Sequence, residues 1–181
     1  MADTSLPLSS STFPSEPDDA TTATPAVRDI SDDDVVSRHI FAPRMVGPAA
    51  DFVWEEVFQF STSHGLAESV ALRTVVPTDG EVHGLGCDKQ ARDRARDEAR
   101  GRAGPTYRGC IDALVRAIRT RHTTNKHRFS VTHAPEEGDW HARITVMLAE
   151  GTAKLSKQDK QDVREIMAQV FDGGLKGHTC P

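Results

Sequence analysis

Aromatic residues and cysteines are scarce in this chain, and long apolar runs are absent. Aromatics make up 6% of the 181 residues, and the three cysteines, Cys87, Cys110 and Cys180, form no C-x-x-C pair. An odd cysteine count without such a pair argues against a disulfide framework and against a structural zinc site. No stretch approaches the roughly 18 apolar residues that a membrane span needs, so we expect no membrane partner.

Signatures of catalysis are missing as well. The chain has no Gly-rich phosphate loop, no Gly-x-Ser-x-Gly and no His-Glu-x-x-His. Two-histidine phosphoesterases need His-x-Thr/Ser, whereas His64 precedes Gly-Leu and His141 precedes Ala-Arg. His83 and Cys87 fall across a predicted strand end, which is not a recognisable metal pair. We therefore expect a non-enzyme with no catalytic residue, no metal and no cofactor.

The formal net charge of −5 is an average over two unlike parts. Residues 1–37 carry eight acidic side chains against Arg28 alone, and residues 1–30 are rich in Ser, Thr, Pro and Ala. This composition predicts an acidic, disordered tail over 1–37, although Ser31 could also cap a short helix that reaches residue 40. The N-terminus lacks a basic region followed by an apolar core, so we expect an intracellular protein, cytoplasmic or nuclear.

The stretch DKQARDRARDEARGRA predicts a helix over 88–103, with Asp88 as its N-cap. Two stripes follow from its spacing: alanines at 91, 95, 99 and 103, expected against a sheet, and cations expected outward at Lys89, Arg92, Arg96 and Arg100. Between residues 89 and 128 twelve Lys or Arg stand against four acidic residues, which suits an anionic partner. The alternative is an ordinary solvated helix face, because Asp93 and Asp97 dilute the charge.

The remaining patterns predict an α+β chain. The end of the run 52–64 reads as a strand, and β-branched alternation predicts a strand at 69–76. Residues 77–80 read as a hairpin turn leading to a strand at 81–86. Further elements are expected at the following positions: a helix at 107–122, strands at 127–133 and 140–148, and a helix at 157–171 capped by Ser156.

Two short echoes suggest an internal repeat. FSTSH at 60–64 is echoed by FSVTH at 129–133, and Asp-Lys-Gln at 88–90 is echoed at 159–161. The offsets nearly agree, which indicates two related modules, at 38–104 and 105–181. Each module would pack an antiparallel sheet on helices, with the strands that end at His64 and His133 in equivalent places.

The same stretches resemble the double-stranded RNA-binding domain. In the second module Gly138-Asp-Trp-His141 lies at the spacing of that family's Gly-Pro-x-His loop, and Ser156-Lys157-Gln158 lies at its last helix. In the first module Cys87-Asp-Lys-Gln-Ala-Arg92 resembles the family's Ser-Lys-Lys-x-Ala-Lys. The resemblance implies two degenerate α-β-β-β-α units. It also implies non-catalytic, largely sequence-independent binding of structured, double-stranded RNA.

The resemblance assigns candidate RNA-binding residues in both modules. The first set is the basic stripe Lys89, Arg92, Arg96 and Arg100, and the second is His141, Lys157, Lys160 and Arg164. The cations would reach phosphates and His141 a ribose hydroxyl. His141 reads equally as a half-buried strand histidine, and the 157–164 stripe as a solvated face. The alternative function is protein interaction, by dimerisation or as an adaptor, on the same scaffold.

Overall fold

The computed structural model describes residues 26–181, which form one six-stranded antiparallel sheet with helices on both faces. The strand order is β4-β5-β2-β1-β3-β6. The strands are β1 Val35–Ala42, β2 Ala67–Leu72, β3 Thr106–Leu114, β4 Arg128–His133, β5 His141–Met147 and β6 Lys176–Gly177. The helices are α1 Trp54–Val57, α2 Asp79–Glu98, α3 Val115–Arg119 and α4 Lys157–Val170, with 3-10 turns at Thr62–His64 and Pro135–Glu137. The α+β class is confirmed.

The two faces of the sheet are covered differently. One face carries the main apolar core, in which strand residues such as Val36 and Ile144 pack with Val57 of α1, Ile118 of α3 and Met167 of α4. The other face is covered by α2 only over β1 and β3. Within residues 26–181 no helix lies over β2, β5 and β4 on that second face, where polar side chains alternate with the core positions. This uneven cover leaves a groove beside α2.

A β-bulge in β3 sets the contact between the sheet and α2. Between Ile40 and Phe41 the register shifts, so Phe41 pairs with Tyr107 while Ile40 pairs with Gly109. Gly109 has a φ of +134°, and a Cβ there would lie 2.0 Å from the Lys176 carbonyl oxygen. Both the backbone conformation and the lack of space for a side chain therefore require glycine at this position. The bulge turns the Tyr107 ring towards α2. The Tyr107 backbone N–H also meets this helix and donates to Gln90 Oε1 at 2.6 Å.

The predicted hairpin at 77–80 and strand at 81–86 are wrong, because these residues begin α2. Thr78 is the N-cap: its side chain accepts from the Glu81 N–H, and the Glu81 carboxylate accepts from the Thr78 N–H. This capping box starts the helix nine residues before Asp88. The earlier start also changes the buried side, which carries Val82, His83, Gly86 and Gln90. The predicted packing of the alanine stripe is therefore wrong, and Ala91, Ala95 and Ala99 are exposed.

The predicted helix at 107–122 is mostly a strand. β3 lies inside the sheet between β1 and β6, and the short α3 follows it. Its apolar residues fit a helical period, but the ladder with β1 runs from Thr106 to Leu114 and fixes the extended form. The predicted helix up to residue 40 is likewise replaced by β1, and the run ending at His64 is a short helix and a 3-10 turn.

The predictions for the last third of the chain are confirmed. β4 and β5 pair antiparallel, from Arg128 opposite Met147 to His133 opposite Ala142. Ser156 caps α4 by accepting from the Asp159 N–H at 3.1 Å, and the Asp159 carboxylate accepts from the Ser156 N–H in return. Strand alternation and helix capping, both readable from the local sequence, therefore predict β4, β5 and α4 correctly.

The two-module arrangement is not confirmed. β1 and β2 come from the first proposed module, yet β1 pairs with β3 and β2 pairs with β5, both from the second. Neither half shows the α-β-β-β-α order. The echoed histidines are not equivalent, since His64 lies in a 3-10 turn and His133 ends a strand. All six strands belong to one shared sheet.

The tail predicted over residues 1–37 is partly ordered. Residues 1–25 lie outside the described residues, but Ile30 is buried in the core and Val35 begins β1. The Arg28 N–H donates to His133 Nδ1 at 2.9 Å, and its guanidinium pairs with Asp139. The C-terminal part of the predicted tail is therefore part of the fold, because Ile30 and Val36 pack into the apolar core.

The cysteine expectation is also wrong in one respect: Cys87 and Cys180 form a disulfide. The earlier helix start puts Cys87 in the middle of α2, and β6 pairs with β3 and brings the C-terminal residues beside it. Cys110 is free and buried. Among the helices of residues 26–181, none combines the length and apolarity needed to cross a bilayer.

Candidate nucleic-acid interface

The outer side of α2 carries the predicted basic stripe. Lys89, Arg92 and Arg96 are exposed on the helix, and Arg100 is exposed in the turn that follows. From Lys89 to Arg96 the row spans about 10 Å, at about 1.5 Å per residue. The structure therefore places these four predicted residues together on one solvent-facing edge of the molecule.

Acidic neighbours compensate part of this charge. Asp93 forms ion pairs with both Lys89 Nζ and Arg96 Nη2, each at 3.1 Å, and Asp97 pairs with Arg102 at 2.8 Å. The Lys89 and Arg96 side chains are 49% and 57% exposed and that of Asp93 is 16% exposed. Ion pairs at the surface contribute only about 0–1 kcal/mol to stability. Within the described residues Arg92 makes no ion pair or side-chain hydrogen bond, and its charge is free for a ligand.

A groove of about 380 Å³ runs beside α2. We call it the α2 groove; one wall is Leu85, Lys89 and Arg92 of the helix, and the opposite wall is Glu137 and Trp140. A second depression of about 420 Å³ shares His64, Glu68, Ser69 and Glu137 with it and continues it to Arg143. The groove thus leads from the basic helix onto the open half of the sheet.

The groove exists because β1 and β2 diverge. These strands pair only at Val36 with Leu72 and at Ser37 with Ala71. Beyond that point the Arg38 guanidinium fills the gap and donates to the Val57 and Ser69 carbonyl oxygens, at 2.9 and 2.8 Å.

Glu68 completes this structural ion pair. Arg38 Nη2 donates to Glu68 Oε2 at 2.6 Å, and Glu68 Oε1 accepts from the Gln59 and Phe60 backbone N–H groups. Both charged side chains are 12% exposed. The pair neutralises itself, so Arg38 shapes the groove floor without adding free charge to it.

Lys89 and Arg92 give the groove its cationic rim. Lys89 Nζ lies 5.9 Å from the Phe41 ring centroid, and this contact holds the ammonium over the groove. The other cations near the groove are engaged, since Arg44 pairs with Glu56 and Arg143 pairs with Glu136. A half-buried Trp140 offers an aromatic surface on the far wall.

His141 is buried and is not among the side chains that line the α2 groove. Its side chain is fully buried, and Nδ1 donates to the Ala134 carbonyl oxygen at 2.9 Å. The interpretation as a strand histidine therefore describes it better than a ribose contact, and we leave it out of the interface.

The second basic set lies on the other face of the sheet. Lys157 and Lys160 are exposed and Arg164 is half-buried on α4, whose Val163 and Met167 pack into the core opposite α2. The two predicted basic stripes therefore do not share a surface, and the α2 groove adjoins the α2 stripe.

Sequence reasoning missed the groove residues Arg38, Trp140 and Arg143. Arg38 lies in the run VVSRHI, two positions from Val36 and two from Ile40. In a strand these three side chains share one face, and an arginine on an apolar face is a usable signal of a partly buried ion pair. The residues that line the groove together with Trp140 and Arg143, such as Lys89 and Ser69, come from distant parts of the chain, so no local pattern indicates the groove.

Comparison with protein-family models, with curated proteins and with solved structures finds no match.

Proposed function

We propose that this protein binds structured RNA without catalysis, through the basic stripe of α2 and the α2 groove beside it. The observation that carries the proposal is the exposed row of Lys89, Arg92 and Arg96 on a rigid helix at the rim of a polar groove. Phosphate contacts dominate nucleic-acid affinity, and cations on one rigid element can meet consecutive phosphates of one strand.

Duplex RNA suits this surface better than duplex DNA. A-form RNA has a narrow major groove that side chains do not read, so recognition relies on phosphates across that groove and on 2′-hydroxyls in the wide minor groove. Lys89 and Arg92 supply the phosphate contacts. Polar groups of the α2 groove, such as Ser69 and Glu137, are placed to meet hydroxyls, which are both donors and acceptors.

The direct test is binding of the protein to a labelled RNA duplex and to the DNA duplex of the same sequence. We expect tighter binding to RNA. Three phosphate contacts should give a slope of about −2.7 for log affinity against log salt, by analogy with B-form DNA. Equal affinity for the two duplexes would remove the preference for RNA, and no binding to RNA at low salt would remove the proposal.

A protein-interaction role is the second candidate, and one observation favours it. β4 is a six-residue edge strand that pairs only with β5 among the strands of residues 26–181. Such edges can accept a strand from another chain. Arg119 opposes this by donating to the Val131 carbonyl oxygen at 2.9 Å, which occupies part of the edge. Sedimentation separates the two candidates: a stable dimer of a protein that does not bind RNA would favour interaction.

A further inference from the structure

A cluster of cysteine and histidine side chains lies between α2 and the C-terminal segment, away from the α2 groove. Cys87, His178 and Cys180 each offer one ligand atom, and these atoms all lie within 4.8 Å of one another. In this structure the two sulfurs are joined as a disulfide. All three residues are half-buried, so solvent and ions can reach them.

The scaffold that brings the cluster together does not depend on the disulfide. β6 pairs with β3 at Gly109 opposite Gly177, and the His178 N–H donates to the Arg108 carbonyl oxygen at 2.9 Å. Lys176 Nζ adds contacts to Asp112 at 2.8 Å and to Asp79 at 3.1 Å. These bonds hold the C-terminal segment independently of the sulfur–sulfur bond, so we expect Cys180 to stay beside Cys87 in the reduced protein.

Neighbouring side chains orient the His178 ring. It stacks on His83, with ring centroids 4.4 Å apart and an angle of 9° between the planes. His83 is fixed in turn, because its Nδ1 lies 3.0 Å from the Tyr107 hydroxyl oxygen. His83 and Cys87 are one helical turn apart on α2, so the stack and the first sulfur belong to one rigid element.

We propose that reduction of the Cys87–Cys180 disulfide creates a zinc site in which Cys87, Cys180 and His178 are the ligands. Thiolate sulfur and neutral imidazole nitrogen are the donors that Zn²⁺ prefers, and three protein ligands leave a fourth position for water. The same two sulfurs thus serve as a covalent link in oxidising conditions and as metal ligands in reducing ones.

The chemistry balances with a thiol or phosphine reductant. A phosphine takes the oxygen of one water molecule and becomes a phosphine oxide, while the two hydrogens of that water and the two electrons of the phosphine convert the disulfide into two thiols. With a thiol reductant, two reductant thiols give the two electrons and two protons and become a disulfide themselves. Each thiol then loses its proton to the solvent as its sulfur donates an electron pair to Zn²⁺, whose charge does not change. Binding therefore strengthens as the pH rises towards the ordinary range of thiol ionisation.

Cobalt titration of the full-length protein tests the site. The protein is reduced with a phosphine, freed of reductant without oxygen, and titrated with Co²⁺. We expect one equivalent to give the visible bands of tetrahedral cobalt and a thiolate-to-cobalt charge-transfer band, all displaced by Zn²⁺. The oxidised protein should give none. Absence of these bands in the reduced protein, or their presence in the oxidised protein, would overturn the proposal.

Two matched pairs of variants assign the ligands. Cys180→Ser and His178→Ala should abolish the charge-transfer band or weaken it strongly. Cys110→Ala and His64→Ala, which remove a cysteine and a histidine outside the cluster, should retain it. Loss of the band in all four variants, or in none, would contradict the assignment. Far-ultraviolet circular dichroism checks that each variant folds.

A measurement on the unmodified chain covers the case in which a ligand variant does not fold. One equivalent of Zn²⁺ should slow alkylation of Cys87 and Cys180 at least tenfold in the reduced protein, as read by peptide mass spectrometry. Unchanged alkylation rates at these two cysteines would contradict the site.

Discussion

His39 is a mostly buried histidine beneath α2, and it makes stability sensitive to acid. Its Nε2 lies 3.0 Å from the Val82 carbonyl oxygen, so the neutral ring donates one hydrogen bond to the helix. Burial lowers the pKa of His39 from 6.5 to about 4. As the pH falls through that window the unfolded chain takes up the proton first, so the free energy of unfolding decreases.

The expected loss from His39 is about 2 kcal/mol between about pH 7 and about pH 5. His39→Gln keeps an amide donor near Val82 but does not titrate. Between the two pH values the free energy of unfolding of this variant should therefore fall by about 2 kcal/mol less than that of the original protein. Urea unfolding of both proteins at the two pH values measures the difference. Parallel pH profiles for the two proteins would show that His39 does not take part.

Two glycines of α2 provide a matched test of how the helix meets the sheet. A Cβ at Gly86 would lie 2.3 Å from Tyr107 Cζ, whereas at Gly84 nothing lies within 4 Å. Gly86→Ala should destabilise by about 1–3 kcal/mol because the ring or the helix must move. Gly84→Ala should stabilise by up to about 1 kcal/mol, since alanine is the better helix former. Thermal or urea unfolding that gives both variants the same sign would contradict this packing.

At the scale of elements, α2 shows where local sequence patterns are sufficient and where they are not. Its basic stripe, and α4 with its Ser156 cap, follow from helical spacing and capping chemistry, and both predictions hold. The predicted start of the helix at Asp88 is wrong because Pro77-Thr-Asp-Gly80 also suits a hairpin turn. The sequence also contains the pair Thr78 and Glu81, and the capping box that these residues form determines where the helix begins.

β3 could not be predicted from its own residues. Tyr107, Ile111, Leu114 and Ile118 fit a helical period, but the strand lies between β1 and β6. Its partners in β1 lie 64 to 79 positions earlier in the chain, from Ala42 opposite Thr106 to Val35 opposite Leu114, and its partners in β6 lie 66 to 68 positions later. Pairing over such distances overrides local propensity. The α2 groove is non-local in the same way, because it results from the divergence of β1 and β2 and from residues of the distant β5 segment.

The start of α2 can be tested at its cap. Thr78→Ala removes the side-chain acceptor of the Glu81 N–H and should cost about 1 kcal/mol of unfolding free energy. Thr74→Ala is the control, since Thr74 is exposed in the preceding turn. Urea unfolding should separate the two variants by that amount. Equal stabilities would favour a hairpin turn at 77–80 over a helix start.

At the scale of the whole molecule, the shared sheet predicts that the chain unfolds as one unit. Trp54 lies on α1 and Trp140 precedes β5, so the two tryptophans report on the two halves of the chain. In Trp54→Phe and in Trp140→Phe, the remaining tryptophan's fluorescence and the far-ultraviolet circular dichroism should give one common midpoint. Separate midpoints for the two tryptophans would restore the two-module interpretation.

The two basic helices on opposite faces provide an internal comparison for function. The α2 stripe adjoins the groove, whereas the lysines at the start of α4 face away from it. Any nucleic-acid binding that depends on overall charge alone should respond equally to changes on either helix. Binding at one surface should respond to α2 alone.

The most direct measurement is the affinity for duplex RNA of two triple variants with equal charge change. One replaces Lys89, Arg92 and Arg96 with Gln, and the other replaces Lys154, Lys157 and Lys160 with Gln. The α2 variant should lose at least tenfold in affinity and flatten the log–log salt dependence by about 2.7, which is about 0.9 for each lost phosphate contact. The α4 variant should stay within about threefold of the original protein, a difference of roughly 0.7 kcal/mol. Equal losses in the two variants, with folding intact, would contradict an RNA-binding surface on α2.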